Sequence, residues 1–131
     1  MVHPLIRQAR LSAILVLAGG LLLAFQAAAA DVRRGEAVFA AKCALCHTTA
    51  RGGPTILGPN LSGVVGRKAG DDPSFAYSPA MESAGFTWDN RRLQAYLAAP
   101  GDIVPGTRMT YVSLQSRSQR KDLIAYLDTL K

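Results

Sequence analysis

A chain of 131 residues has room for one small domain and little for a second. Its formal net charge is +6, but the basic residues are scattered, which argues against the clustered basic stripe of a nucleic-acid binder. Two cysteines permit at most one disulfide within the chain.

Residues Met1 to Arg10 carry Arg7 and Arg10, the stretch Leu11 to Phe25 is uncharged, and Gln26 leads into Ala27, Ala28, Ala29 and Ala30. This three-part pattern predicts a secretory signal peptide over residues 1–30 and a functional domain over 31–131. The alternative is an uncleaved anchor, because ~20 apolar residues can span a bilayer. Cleavage is favoured: small residues stand where a peptidase needs them, and a helix is expected to begin almost at once. With the signal removed, Arg7 and Arg10 leave and all nine acidic residues stay, so the formal balance falls from +6 to +4. A mildly basic surface of this kind favours acidic partners through steering that salt screens.

The spacing of Val32, Phe39 and Cys43 predicts a helix from Val32 to Cys43, with Asp31 as its cap. At its end stands Cys43-Ala44-Leu45-Cys46-His47. This C-x-x-C-H string reads as a site for one covalently attached haem c, two thiols reaching the vinyl groups of one porphyrin edge while His47 falls under the iron. A lone disulfide leaves the histidine unexplained, and a thioredoxin-like switch lacks its βαβ surroundings. Structural zinc usually takes four Cys/His ligands, and after His3 departs only Cys43, Cys46 and His47 remain.

From Thr48 to Gly70 the abundance of Gly and Pro predicts loop, wrapped about one edge of the haem. Ser78-Pro79 is expected to open a short helix that carries Met81 and ends near Gly85. Asp89 can cap a further helix through Leu93, Tyr96 and Leu97, which Pro100 and Gly101 are expected to stop. Ile103 to Thr110 contains a Pro-Gly turn and carries Met109, a strap of the sort that can lay a thioether over a haem face. Of the two remaining methionines, Met109 is favoured as the second iron ligand opposite His47, and Met81 as packing. The capping-box pattern Ser116-x-x-Gln119 opens a last helix whose stripe runs through Leu123, Leu127 and Leu130. Gly35 is expected to let the first and last helices cross closely.

The ordered set Gly35-Glu36-Ala37-Val38-Phe39, the C-x-x-C-H string, Gly58-Pro59-Asn60-Leu61, Gly66-Arg67-Lys68, Trp88, Tyr96-Leu97, Pro105 to Met109 and Asp122 to Leu127 resembles the class I cytochromes c. It is most like the mitochondrial kind and its bacterial periplasmic relatives. The resemblance implies an all-α fold of three to five helices around one haem, N- and C-terminal helices crossing. It also implies that Pro59 supports His47 through its carbonyl, that Tyr96 and Thr107 border the methionine, and that Arg67, Tyr77 and Trp88 lie around the propionates.

The expected activity is one-electron transfer without catalysis, by a monomer in the periplasm. Its expected partners are redox complexes: a cytochrome bc complex, an oxidase, a photosynthetic reaction centre or a dehydrogenase. No nucleic acid and no stable membrane insertion are expected once the signal is gone. One alternative is a dedicated electron-acceptor subunit for one periplasmic dehydrogenase; another is an enzyme such as a peroxidase or a ligand sensor, which requires the distal ligand to leave. Where mitochondrial members gather lysines, this chain has Ala98-Ala99-Pro100-Gly101-Asp102, leaving Lys42, Arg51, Lys68 and Arg108 as docking candidates.

Overall fold

In a computed structural model the described residues are 32–110 and 113–131. The expected signal peptide and the Asp31 cap lie outside them. Among the described residues five helices occur in order: α1 over residues 32–42, α2 Pro79–Glu82, α3 Asn90–Ala98, α4 Pro100–Ile103 and α5 Arg117–Asp128. The all-α expectation holds. Pairing is limited to an isolated antiparallel bridge, Lys68 with Thr87, among the described residues.

Three helices begin where a side-chain oxygen can take an otherwise unpartnered backbone N–H. Ser78 accepts from the Met81 N–H in α2, Asp89 from the Arg92 N–H in α3, and Ser116 from the Gln119 N–H in α5. Two boundaries differ from expectation. The second helix closes on Ser83, before Gly85, because the Ser83 N–H already returns to the Pro79 and Met81 carbonyls. Pro100 does end α3 but also opens α4, since a residue without an N–H suits the first helical position, where that donor would be idle.

Gly35 and Phe39 of α1, with Cys43 just past its end, recur at spacings of four and form one buried stripe. Against it lies α5, which buries Asp122, Leu123, Ile124 and Leu127. A Cβ at Gly35 would collide with the Asp122 carbonyl oxygen and stand 2.8 Å from Tyr126 Cβ, so only glycine admits this backbone approach. Arg34 Nε donates to Asp122 Oδ2 at 2.9 Å beside the crossing, and the Phe39 and Tyr126 rings meet with centroids 5.8 Å apart. Leu93, Tyr96 and Leu97 of α3 join the same core, with Val104 and Leu114. The Leu114 N–H donates to the Leu97 carbonyl at 2.8 Å, fastening the segment before α5 to the end of α3.

Candidate haem site

Helical hydrogen bonding continues past α1 through the cysteine pair. The His47 N–H donates to the Cys43 carbonyl at 2.9 Å and the Cys46 N–H to the same oxygen at 3.0 Å. Four residues make slightly more than one turn, so Cys43 and His47 lie on one side of it and Leu45 on the other. Both thiols are free. Cys43 is buried and its pKa is pushed up to about 11, by burial first and then by Cys46 beside it. A reactive redox thiol needs the opposite shift, a stabilised thiolate. Among the described residues no group of three His, Cys, Asp or Glu side chains could hold a metal ion.

His47 Nδ1 stands 2.8 Å from the Pro59 carbonyl oxygen. A carbonyl can only accept, so Nδ1 carries the hydrogen and Nε2 keeps its lone pair for a metal. Burial lowers the pKa of the ring, the bond to Pro59 opposing, which favours the neutral form that ligation requires. Gly58 backs the ring: a Cβ there would come within 2.5 Å of His47 Cε1. The Gly58 N–H in turn donates to the Cys46 carbonyl at 2.7 Å, so the loop and the cysteine turn are fixed to each other.

Asn60 organises that loop, a role the sequence reading did not assign. Its Nδ2 donates to Thr48 Oγ1, the Ala50 carbonyl and the Gly53 carbonyl at 2.9, 2.8 and 3.1 Å, and its Oδ1 accepts from the Ser62 N–H at 2.7 Å. An Asn in a Gly- and Pro-rich stretch was the available signal, because such side chains replace backbone partners that loops lack.

The strap after α4 brings Thr107 and Met109 to the same core. Thr107 Oγ1 is 2.8 Å from the Tyr96 hydroxyl and accepts from the Met109 N–H at 3.3 Å. Burial raises the Tyr96 phenol, the Thr107 contact opposing, so the phenol keeps its proton. Met109 is half-buried on irregular backbone, whereas Met81 is buried in α2. Arg108 anchors the strap by donating to the Ala76 and Tyr77 carbonyls at 3.1 and 3.2 Å.

Arg67 spends its guanidinium on backbone: Nη2 donates to the Asn60 carbonyl at 2.9 Å and Nη1 to the Ser62 carbonyl at 3.4 Å, with Asp72 at 3.9 Å. Tyr77 joins this group; its phenol is raised by burial, with Arg67 opposing. Trp88 packs edge-on against Phe86 and Tyr96, each pair of ring centroids 4.8 Å apart. The bridge brings Arg67 and Trp88 together, as the Trp88 N–H donates to the Arg67 carbonyl at 2.9 Å.

Two adjacent thiols, an imidazole oriented to offer Nε2 and a half-buried thioether are a donor set that suits a haem. Comparison with known proteins agrees. Residues 32–131 match the cytochrome c family. Cytochrome c of Chlamydomonas reinhardtii is 44% identical over 102 residues, 78% of this chain and 91% of the relative. Cytochrome c2 of Rhodomicrobium vannielii is 46% identical over 105 residues, 78% and 81% of the two chains. The solved structure of cytochrome cH from Methylobacterium extorquens superposes with a TM-score of 0.70 at 40% identity, covering 76% of this chain and 98% of the other. The chain therefore belongs to the cytochrome c family: it is a class I c-type cytochrome, an electron-transfer protein rather than an enzyme, with one haem c bound covalently through Cys43 and Cys46.

Proposed function

We propose that this cytochrome is a mobile one-electron carrier with His47 and Met109 as its two axial ligands. The observation that carries the reading is the fixed imidazole: Nδ1 tied to the Pro59 carbonyl leaves Nε2 as the donor directly beside the cysteine turn. Met109 is favoured over Met81 because it lies on a half-buried strap held by Thr107 and Arg108, while Met81 is already 93% withdrawn from solvent in the core.

Bound haem supplies a reversible one-electron couple, and thioether ligation in a dry site favours the less charged ferrous state. The chain's residues do the rest. Gly58 and Pro59 hold the imidazole in one orientation, and Tyr96 and Thr107 keep the methionine strap in register. Phe39, Leu93, Leu97 and Leu123 exclude water. Were His47 and Met109 both to hold the haem iron, it would offer no open position to oxygen or peroxide. Arg67, Tyr77 and Trp88 are assigned to the propionate side.

The expected setting is the periplasm, reached through a cleaved signal over residues 1–30, with the domain at 31–131 working between a quinol-oxidising cytochrome bc complex and an oxidase or photosynthetic reaction centre. No helix among the described residues is long and apolar enough to cross a membrane. A second reading, a dedicated acceptor for one periplasmic dehydrogenase, is favoured by the lysine-free segment Ala98 to Asp102.

The test is intact mass with absorption spectra of periplasmic material. One added haem on a chain starting near residue 31, a weak far-red iron–sulfur band and indifference to carbon monoxide are expected. Met109→Ala should abolish the band; its survival would move the ligand to Met81, and ready carbon monoxide uptake by the native protein would overturn the carrier assignment.

A further inference from the structure

A groove of about 700 Å³ runs between α3 and α5, and the haem site uses none of the residues that line it. Helical geometry explains where it lies. Leu93, Tyr96 and Leu97 turn one side of α3 into the core, and at about 3.6 residues per turn Arg91, Ala95 and Ala98 fall on the side roughly opposite. Tyr96 meets Thr107 at the methionine strap, so the groove opens behind α3 as seen from the strap. Arg117, Arg120 and Lys121 of α5 stand across it. Between these cations Ala95 and Ala98 contribute only methyl groups.

The charge here is one-sided. From Asn90 to Lys121 the single acidic residue is Asp102, against Arg91, Arg92, Arg108, Arg117, Arg120 and Lys121. Three of these arginines are already engaged. Arg108 holds the strap, and Arg92 lies over the Phe86 ring, 4.6 Å from its centroid. Arg120 donates through Nε to Gln94 Oε1 at 3.2 Å and through Nη1 to the Leu114 and Gln115 carbonyls. Arg91, Arg117 and Lys121 are exposed, and among the described residues none of them forms an ion pair. Arg91 and Arg117 also stand in the first turns of their helices, neither of which carries an acidic residue there. That is where a helix favours anions and disfavours cations. Folding gains nothing from the placement, whereas an anion held between the helices relieves it.

We propose that the groove between α3 and α5 binds an extended acidic segment of another protein, held by Arg91, Arg117 and Lys121. Spacing selects this ligand over a small anion. From Arg91 to Ala98 the groove follows α3 for roughly 10 Å, the length of about three residues of extended chain. The half-buried arginine, Arg120, is committed to Gln94 and two backbone carbonyls, which leaves no inward-facing cation to clamp a phosphate. A lipid surface fits less well, because the lining carries no large apolar side chain to enter a bilayer. No lining residue belongs to the cysteine turn or the strap. A segment bound here therefore tethers the cytochrome without touching the haem-bearing turn, and its binding is independent of the carrier reading.

The test titrates isotope-labelled ferrous holoprotein with a synthetic peptide of alternating Glu and Gly, read by amide chemical shifts. Shifts centred on Gln94, Ala95, Ala98 and Ser118 are expected, with an affinity that falls as salt is added. Arg91→Gln/Lys121→Gln should weaken binding about tenfold at low salt. Lys42→Gln/Arg51→Gln, which removes the same charge from elsewhere, should bind as the native protein does. Arg117→Glu should weaken binding and leave the urea midpoint no lower than native, since an acidic residue suits a first helical turn; a lower midpoint would show that Arg117 serves the fold instead and overturn the argument. Equal losses in the two double variants would leave only general charge attraction and overturn the groove, as would a native holoprotein that does not bind the peptide. Groove-dependent binding to vesicles of phosphatidylglycerol and phosphatidylcholine, tighter than to the peptide, would assign the surface to a membrane and overturn the acidic segment. Reduction and reoxidation of the haem test the carrier reading separately from all of these.

Discussion

Gly35→Ala tests the helix crossing on which the core depends. The added methyl carbon would collide with the Asp122 carbonyl oxygen and stand 2.6 Å from the carbonyl carbon. Both atoms are backbone of α5, so no side chain can swing aside and α1 and α5 must separate. Overpacking of this kind costs ~1–3 kcal/mol, and the upper end applies because the obstacle is rigid. Separation also exposes Leu123 and Ile124, now 1% and 3% accessible, and pulls Arg34 from Asp122. The Arg34 side chain is 57% exposed, so that ion pair adds little. In the opposite direction, Ala is better than Gly in a helix by about 1 kcal/mol. The net expectation is a loss of about 2 kcal/mol. For a domain near 100 residues that lowers the melting temperature by roughly 8–16 °C. Urea denaturation of the holoprotein, followed by far-ultraviolet circular dichroism and Trp88 fluorescence, reads it directly. A variant as stable as the native protein, or stabilised by the propensity gain, would refute the close crossing.

Asn60→Ala removes two amide N–H donors shared among three acceptors, and one accepted bond, from the 48–62 loop; a loss of about 2 kcal/mol is expected, because several partners are left unsatisfied together, and amide exchange should accelerate first at Ser62. Arg108→Gln releases the strap from the Ala76 and Tyr77 carbonyls; added imidazole should then displace the methionine more readily, with global stability changed by less than about 1 kcal/mol, as spectral titration and urea melts would show. Asp72 contributes an acid dependence. Burial alone would raise its pKa, but the Ser74 hydroxyl and N–H, with Arg67, hold it below the usual carboxylate value. A folded pKa below the unfolded one gives stability that is present above the unfolded value and lost as pH falls through the folded value. Asp72→Asn should therefore be less stable than the native protein at pH ~7 and equal to it near pH ~2; parallel curves at both pH values would refute the assignment.

Local chemistry was legible in the chain wherever a residue's own neighbours set its role. Ser78, Asp89 and Ser116 cap helices because a short oxygen-bearing side chain can reach an N–H three residues on, whatever the rest of the fold does. Pro100 was half legible: its ring forbids α3 from continuing, but the same ring suits a new first turn, and only the chain's return toward the core selects that outcome. Asn60 was present in a recognised string, yet its four partners are brought within reach only when the loop closes on itself.

The sequence alone determined the covalent chemistry. Two thiols and an imidazole within five residues have their relative placement dictated by a single turn of backbone, and the glycine at position 35 announced where two helices meet. Tertiary structure decided everything that depends on distant segments meeting: that the Pro59 carbonyl orients the imidazole, that Met109 rests half-buried on a strap while Met81 is sealed in the core, and that Arg67 turns inward to backbone carbonyls. It also decided that Leu45, Ile56 and Leu57 face solvent. Residue type sets what a group can bond to, whereas burial and partnership depend on the packing of segments far apart in the chain.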